Sequence, residues 1–119
     1  MTSSKTNKLK NFIGNISLKL KYAFIKVRKF FIESHIKHAR SHWIISKNRN
    51  FYNPTLEATI FKYGNGWKIA RYGDYFGEFK LKEEAVEEVF QIWLKEKKMI
   101  EIVNELEGEL QNIKQIILK

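Results

Sequence analysis

Residues 56–81 read LEATIFKYGNGWKIARYGDYFGEFKL, and this stretch decides the fold. Aromatic and β-branched residues fall in three short runs, which predict three strands. The runs cover residues 56–63, 67–72 and 75–81. Gly64-Asn65-Gly66 and Gly73-Asp74 separate the runs and are typical of hairpin turns. Because neither connection is long enough for a crossover, the pattern predicts an antiparallel meander.

The turns also predict which side chains share a face of the sheet, since side chains alternate along a strand. One predicted face is mostly aromatic, and we expect the helix that follows the sheet to cover it. This aromatic face holds Phe61, Tyr63, Ala70, Tyr72, Tyr75, Gly77, Phe79 and Leu81. The other face, which we call the mixed face, combines cations with apolar residues. It holds Ile60, Lys62, Trp67, Ile69, Arg71, Phe76, Glu78 and Lys80.

The mixed face is the predicted contact with DNA. Its cations can neutralise phosphates, and Arg, Lys and Glu side chains can form hydrogen bonds with base edges in the major groove. An alternative is that the N-terminal helix covers this face, which would bury Ile60, Ile69 and Phe76 while the cations reach solvent at the rim. The sequence leaves these two arrangements open.

A long helix is predicted after the sheet, since Glu83 and Glu84 suit a first helical turn. Apolar residues then recur at the two inner positions of a heptad repeat. One series is Ala85, Ile92, Met99, Leu106 and Ile113, and the other is Val89, Glu96, Val103, Leu110 and Ile117, in which Glu96 is the one residue that is not apolar. Residues 85–117 can therefore fold back on the N-terminal helix or pair with a second copy in a homodimer.

The charge of the chain is concentrated in its N-terminal part. Residues 1–50 carry nine Lys, three Arg and one acid, a net charge of +11, whereas residues 51–119 have a net charge of −2. A concentrated positive field attracts nucleic acid, an acidic membrane surface or an acidic protein. We therefore expect an α+β fold with two regions in one compact unit. Residues 1–50 form a long basic amphipathic helical region, and residues 51–119 form the three-stranded meander packed against a long C-terminal helix.

Apolar residues in the N-terminal region repeat at steps of three and four, which predicts one amphipathic helix. The stripe consists of Leu9, Ile13, Ile16, Leu20, Ala23 or Phe24, Val27, and Phe30 or Phe31. Most of the Lys and Arg residues lie off this stripe. The pattern favours a helix that packs on the sheet and shows its cations to solvent, and it is also typical of a helix at a membrane surface.

Residues 59–85, TIFKYGNGWKIARYGDYFGEFKLKEEA, resemble the integrase-type DNA-binding domain, a group that includes the plant ethylene-response-factor domains. The likeness covers residues 56–93. It rests on Gly77-Glu78-Phe79 at the end of the third strand, on Glu84-Ala85 in the following helix, and on Trp67 in the second strand. The resemblance implies that the helix-free sheet face reads DNA. The residues that it implicates are Lys62, Trp67, Arg71, Glu78 and Lys80.

The sequence therefore predicts a nucleic-acid-binding protein, with DNA as the favoured ligand and the cytoplasm as the expected location. Cations of the helical region would supply phosphate contacts, and the sheet face would supply orientation. These helical cations are Lys19, Lys26, Arg28, Lys37 and Arg40. Two alternatives stay open: a small phage or mobile-element regulator that binds and inhibits an acidic protein partner such as a nucleic-acid enzyme, and a peripheral membrane protein.

Enzymatic chemistry finds little support in the sequence, and we expect no enzyme. The absence of Cys removes disulfides, thiolate metal sites and a thiol nucleophile together. His38 and His42 lie four residues apart on a predicted helix and are only weak candidates for a metal site, so no metal or other cofactor is predicted. The longest apolar runs are three or four residues, far short of the ~20 apolar residues of a membrane-spanning helix.

Overall fold

The computed structural model describes the backbone of residues 2–118 and the side chains of residues 8–11 and 13–118. Within this range the chain forms three helices and five strands. Helix α1 covers Thr2–Ser41, α2 covers Lys82–Glu96 and α3 covers Met99–Leu118. The strands are β1 (Ile44–Ile45), β2 (Phe51–Asn53), β3 (Ala58–Tyr63), β4 (Gly66–Arg71) and β5 (Asp74–Phe79). The predicted α+β fold is confirmed.

The described strands belong to one antiparallel sheet in the order β1-β2-β3-β4-β5. The predicted meander corresponds to β3, β4 and β5. Two short strands precede it: β1 lies near the end of the predicted helical region, and β2 lies before the first predicted strand. They extend the sheet because Phe51 and Tyr52 pair with Ile60 and Thr59, which gives the backbone of this segment its hydrogen-bond partners.

Both hairpin turns lie one residue earlier than the two-residue turns that the sequence predicts, Asn65-Gly66 and Gly73-Asp74. In the first hairpin Gly64-Asn65 are the two turn residues, and Gly64 has a φ of 60°. In the second hairpin Tyr72-Gly73 form the turn, with φ angles of 52° and 82°. Two-residue hairpin turns need positive φ, which glycine adopts without a steric cost. When a turn moves by one residue, the partner of each strand residue moves by two. Because side chains alternate with a period of two, the side chains that share a face of β3 and β4 are still those predicted.

The core lies on the mixed face, so the prediction that the following helix covers the aromatic face is wrong. Ile60 and Ile69 are fully buried, together with Val89 and Trp93 of α2. Helix α1 contributes Ala39 to the same cluster. Ile60 and Ile69 pair directly across β3 and β4. Burying two branched aliphatic side chains is more favourable than burying tyrosines, whose hydroxyl groups need hydrogen-bond partners.

A bulge in β5 moves Phe79 to the covered face. Gly77 has a φ of 81°, and the pairing register shifts so that Phe79 lies opposite Trp67. The sequence predicts Phe79 on the aromatic face, whereas it packs against the buried cluster. Glycine alone adopts this backbone conformation at no steric cost, which fixes the bulge at residue 77.

The chain divides into two compact units. Ser34–Ile100 form the sheet unit, and the residues up to Glu33 together with those from Glu101 form the helical unit. The predicted boundary at residue 50 thus falls inside the sheet unit. The helix predicted to run unbroken from residue 82 is interrupted at Lys97 and Lys98, since Lys98 has a φ of 53°.

In the helical unit, α3 packs along α1. Ile25 of α1 is buried together with Leu106, Leu110 and Ile113 of α3. The heptad residues of the C-terminal helix therefore fold back on the N-terminal helix, which is one of the two arrangements that the sequence predicts. A homodimer through residues 85–117 stays a prediction.

Asn53 is fully buried in the sheet unit and makes two hydrogen bonds to the backbone. Its Nδ2 donates to the carbonyl oxygen of Ala39 at 2.7 Å, in the last turn of α1. Its Oδ1 accepts from the backbone amide of Leu56 at 3.0 Å. One side-chain amide thus satisfies a carbonyl that the end of a helix leaves unpaired and a buried loop amide.

We expect Asn53→Ala to lower the free energy of unfolding by about 2 kcal/mol or more, because two buried backbone groups lose their partner. Asn53→Asp should also destabilise, because a carboxylate cannot donate to the Ala39 carbonyl oxygen. Urea unfolding followed by tryptophan fluorescence measures both, since all three tryptophans lie in the sheet unit. Asn48→Ala, in an exposed turn, is the control and should stay within about 0.5 kcal/mol of the wild type. Equal losses for all three variants would contradict this role.

An ion pair joins the two helices of the helical unit. The Nζ of Lys29 lies 2.5 Å from Oε2 of Glu107 and 3.3 Å from Oε1 of Glu33. The hydrogen bond from Lys29, with a second from Gln111, holds the pKa of Glu107 below its ordinary value of 4.5. The hydrogen bond to Glu107, followed by the one to Glu33, raises the pKa of Lys29 above its ordinary value of 10.5.

These shifts predict the pH range in which the ion pair stabilises the helical unit. The contribution of Glu107 is present above pH 4.5 and is lost as the pH falls through the lowered pKa. The contribution of Lys29 is present below pH 10.5 and is lost as the pH rises through the raised pKa. We expect Glu107→Gln to lower the Tm between these limits and to match the wild type once the pH is well below 4.5.

Thermal unfolding followed by far-ultraviolet circular dichroism tests this prediction. The control is Glu109→Gln, which changes an exposed carboxylate of α3 that forms none of the ion pairs among the described side chains. It should show no pH-dependent difference from the wild type. A Tm deficit of Glu107→Gln that persisted unchanged in acid would contradict the ion-pair interpretation.

Candidate functional site

Arg71 is buried and paired, so it cannot read DNA as predicted. Its Nε donates to the carbonyl oxygen of Leu56 at 3.0 Å, and its Nη1 donates to the carboxylate of Glu96. The residue is only 7% exposed. The guanidinium therefore supports the loop before β3 and the end of α2, and the prediction that it contacts nucleic acid is corrected.

Trp67 is half-buried on the same covered face. It packs against the buried cluster, and its ring centroid lies 6.1 Å from that of Phe51. Of the other sheet residues predicted to contact DNA, Lys62, Glu78 and Lys80 are exposed. Arg71 and Trp67 thus lie on the covered face and Lys62 lies at its exposed end. Glu78 and Lys80 flank Phe79, so the bulge moves them off that face.

No helix of the sheet unit packs on the second face of the sheet, which we call the tyrosine face. This face carries Tyr52, Phe61, Tyr63 and Tyr75. Tyr63 is 62% exposed and Tyr75 is 71% exposed. The rings of Phe61 and Tyr75 lie edge to face, with centroids 5.7 Å apart. They meet over β4, where Ala70 pairs with Tyr75 and leaves room for both rings. The tyrosine face therefore presents exposed aromatic rings on β2, β3 and β5.

A cleft of about 450 Å³ adjoins the tyrosine face at the β3–β4 hairpin. Its lining consists of Tyr63, Gly64, Asn65, Gly66, Trp67, Lys68, Glu78, Phe79 and Lys80. The cleft brings together Trp67, Glu78 and Lys80 from the predicted set, whereas Lys62 does not line it. Two ammonium groups against one carboxylate give it a positive balance, which favours an anionic group. The Nζ of Lys68 lies over the ring of Tyr63, 4.3 Å from the ring centroid, so one face of this ring carries a cation.

Sequence reasoning missed the tyrosine face because it assigned Phe61, Tyr63 and Tyr75 to the core and placed Tyr52 outside the sheet. A usable signal was present in the type of aromatic residue. Three of the four rings are tyrosines, whose hydroxyl groups favour a position with access to water. The covered face instead carries Ile60, Ile69 and Phe76, which have no polar atom in the side chain.

The predicted helical cations fall into two groups. Lys19, Lys26, Arg28 and Lys37 are exposed on α1. Arg40 instead contacts α2: its Nη1 lies 2.8 Å from Oε2 of Glu87, and its guanidinium lies 3.9 Å from the ring centroid of Phe90. Hydrogen bonds from Gln91 and then from Arg40 hold the pKa of Glu87 below its ordinary value. Arg40 thus has a structural partner, which weakens its assignment to a phosphate contact.

Helix α1 carries two apolar stripes rather than the one predicted. The predicted stripe is exposed, and we call it the exposed stripe. It consists of Leu9, Ile13, Ile16, Leu20, Phe24, Val27, Phe30 and Phe31. The second stripe faces α3 and consists of Leu18, Tyr22, Ile25 and Ile32. Within the helical unit the second stripe makes the contact with α3, whereas the side chains of the exposed stripe contact no other helix of that unit.

The three histidines, two on α1 and one directly after it, contact other side chains of the protein. The Nδ1 of His42 lies 3.0 Å from Oγ1 of Thr55, and the His38 and His42 rings lie 4.5 Å apart. His35 packs edge to face with Trp93. No group of three His, Asp or Glu side chains that could hold a metal ion occurs in the described part of the chain.

Comparison with known proteins gives no match to a protein-family model, to a curated protein or to a solved structure. The resemblance to the integrase-type domain therefore stays a prediction. Across residues 2–118, no helix is both long enough and apolar enough to cross a membrane.

Arg71→Ala should cost stability, because it removes a buried guanidinium that holds a carbonyl oxygen and a carboxylate. We expect the free energy of unfolding to fall by about 3 kcal/mol. Lys62→Ala, on the exposed end of the same sheet face, should change it by less than about 0.5 kcal/mol. Urea unfolding followed by tryptophan fluorescence compares the two variants. If Arg71→Ala were as stable as Lys62→Ala, the structural role given to Arg71 would be wrong.

Proposed function

We propose that the sheet unit binds single-stranded nucleic acid on the tyrosine face. The observation that supports this proposal is that Tyr52, Tyr63 and Tyr75 are exposed on a sheet face that no helix of the unit covers. Exposed rings stack with the flat faces of bases, and each stacked base contributes about 1–3 kcal/mol to binding. Every base has such a face, so the proposal implies little sequence preference.

The spacing of the rings suits several nucleotides. Tyr52 lies on β2, Phe61 and Tyr63 lie on β3, and Tyr75 lies on β5. Neighbouring strands are about 4.8 Å apart, so β2 and β5 are separated by about 14 Å. Sheet faces of this kind accommodate about two or three unstacked bases.

A single strand fits better than a duplex. The bases of a duplex are already paired and stacked, so their faces cannot reach a protein ring. The mixed face, which was the predicted partner of the major groove, is covered by α2 and by Ala39 of α1. The DNA prediction is thereby revised to a single strand, with DNA and RNA both acceptable to a stacking surface.

Phosphate contacts would come from the cleft beside the tyrosine face. Lys68 and Lys80 line it, and Lys68 is next to the exposed ring of Tyr63. Two phosphate contacts on a single strand imply that a fourfold rise in salt lowers the affinity roughly sevenfold. A protein that held six or more phosphates would lose far more, so the salt dependence measures how many cations take part.

The test is fluorescence anisotropy with a labelled single-stranded oligonucleotide and with its duplex. We expect Tyr75→Ala to weaken single-strand binding by about fivefold or more, because a stacked base loses its ring, and Tyr75→Phe to retain binding. Tyr72→Ala is the matched control. Tyr72 is 66% exposed, but it lies in the β4–β5 turn, where its hydroxyl donates to Glu57.

Three results would count against the proposal. They are the absence of single-strand binding at low salt, tighter binding of the duplex than of the single strand, and equal losses for Tyr75→Ala and Tyr72→Ala. The alternative of a cytoplasmic phage or mobile-element regulator that inhibits a protein partner stays a prediction, since none of the contacts described above favours it.

A further inference from the structure

Helix α1 carries an apolar surface that no described part of the helical unit covers. The exposed stripe runs from Leu9 to Phe31, a length of about 33 Å at about 1.5 Å per residue. Its side chains are 43–75% exposed. An apolar surface of this length is costly in water, so the stripe requires a partner.

Cations flank the exposed stripe on both sides. With 3.6 residues per turn, Lys10, Lys21 and Arg28 lie about 100° from the centre of the stripe on one side. Lys8, Lys19 and Lys26 lie about as far from it on the other side. All six are exposed. The first acid of the chain is Glu33, which comes after the stripe ends, so no carboxylate on this part of the helix offsets these charges.

The flanking charges identify the partner. A second copy would bring two cationic borders together with no acid between them, and such like-charge contacts disfavour pairing. Nucleic acid would neutralise the cations but would leave the apolar side chains in water. A bilayer with anionic lipids satisfies both, because apolar side chains enter the boundary between headgroups and acyl chains while the cations meet the headgroups.

We propose that the exposed stripe docks α1 along the surface of an anionic lipid bilayer. The opposite side of the helix is occupied, since Ile25 and its neighbours pack against α3. The helix therefore lies on the membrane and does not cross it, which agrees with the lack of a spanning helix in residues 2–118. Phe24, Val27 and Phe31 border an apolar groove of about 420 Å³ that an acyl chain can enter.

The chain has no Cys, so a single introduced thiol can report the environment of the stripe. We would label Val27→Cys with an environment-sensitive fluorophore and add vesicles of equal parts phosphatidylglycerol and phosphatidylcholine. The emission should shift to the blue and gain intensity, and vesicles of phosphatidylcholine alone should produce a much smaller change. Asn112→Cys, an exposed position on α3, is the label control and should not respond.

Two sets of variants separate the apolar contribution to vesicle binding from the electrostatic contribution. Phe24→Ser with Phe31→Ser should weaken vesicle cosedimentation by at least about tenfold, because two large apolar groups no longer leave water. Ile116→Ser with Leu118→Ser, exposed apolar residues of α3, should leave it unchanged.

Lys19→Gln with Lys26→Gln should weaken cosedimentation roughly thirtyfold, since each cation near the surface contributes about 1 kcal/mol. The matched control, Lys97→Gln with Lys98→Gln, also removes two positive charges, but from the turn between α2 and α3. Circular dichroism confirms that each variant keeps its helices.

The proposal is overturned if anionic vesicles leave the Val27 label unchanged. It is also overturned if the label shifts without lipid as the protein concentration rises, which would identify a second copy as the occupant, or if a single-stranded oligonucleotide produces the same shift. This inference does not rest on nucleic-acid binding by the sheet unit. Tyr75→Ala should leave vesicle binding intact, so the two proposals can fail separately.

Discussion

The buried amide of Asn53 holds the end of α1 on the covered face of the sheet. It joins the Ala39 carbonyl in the last turn of α1 to the Leu56 amide before β3. Asn53 pairs with Ala58, and both share a sheet face with Ile60. Because each unmade hydrogen bond of a buried group costs about 1–3 kcal/mol, the end of α1 must lie on that face. With that face occupied, α2 completes the core there, and the tyrosine face remains open.

Much of the fold could be predicted from the sequence because it depends on local signals. Turn glycines and alternation indicate the meander, and periodicity indicates α2 and α3. The buried face could not be predicted in the same way, since alternation defines two faces without ranking them. The ranking depends on the type of side chain, with isoleucines on one face and tyrosines on the other, and on a contact between Asn53 and Ala39, which are 14 residues apart in sequence. Arg71 shows the consequence: its strand position was predicted correctly, but its role followed from the wrong choice of face.

Helix α1 shows a second limit of periodicity. A stripe of apolar residues indicates that one side of a helix has a partner, but it does not identify the partner. The exposed stripe is longer and richer in phenylalanine, so it dominates the pattern. The stripe around Ile25 is shorter and is interrupted by Lys29, yet it makes the contact with α3, and Lys29 itself is paired there with Glu107. A cation within an apolar stripe can therefore be part of a helix contact when the partner helix supplies an acid.

The net charge of +11 in residues 1–50 does not predict how many cations of the chain contact phosphates. Six of these cations border an apolar stripe on α1, whereas Lys68 and Lys80 beside the tyrosine face belong to the less basic part of the chain. Salt weakens the attraction of both surfaces for anions, but it does not weaken the burial of apolar side chains. Binding through α1 should therefore survive at salt concentrations that remove a purely electrostatic contact, and this difference separates a membrane-docking helix from a phosphate-binding one more sharply than the charge count does.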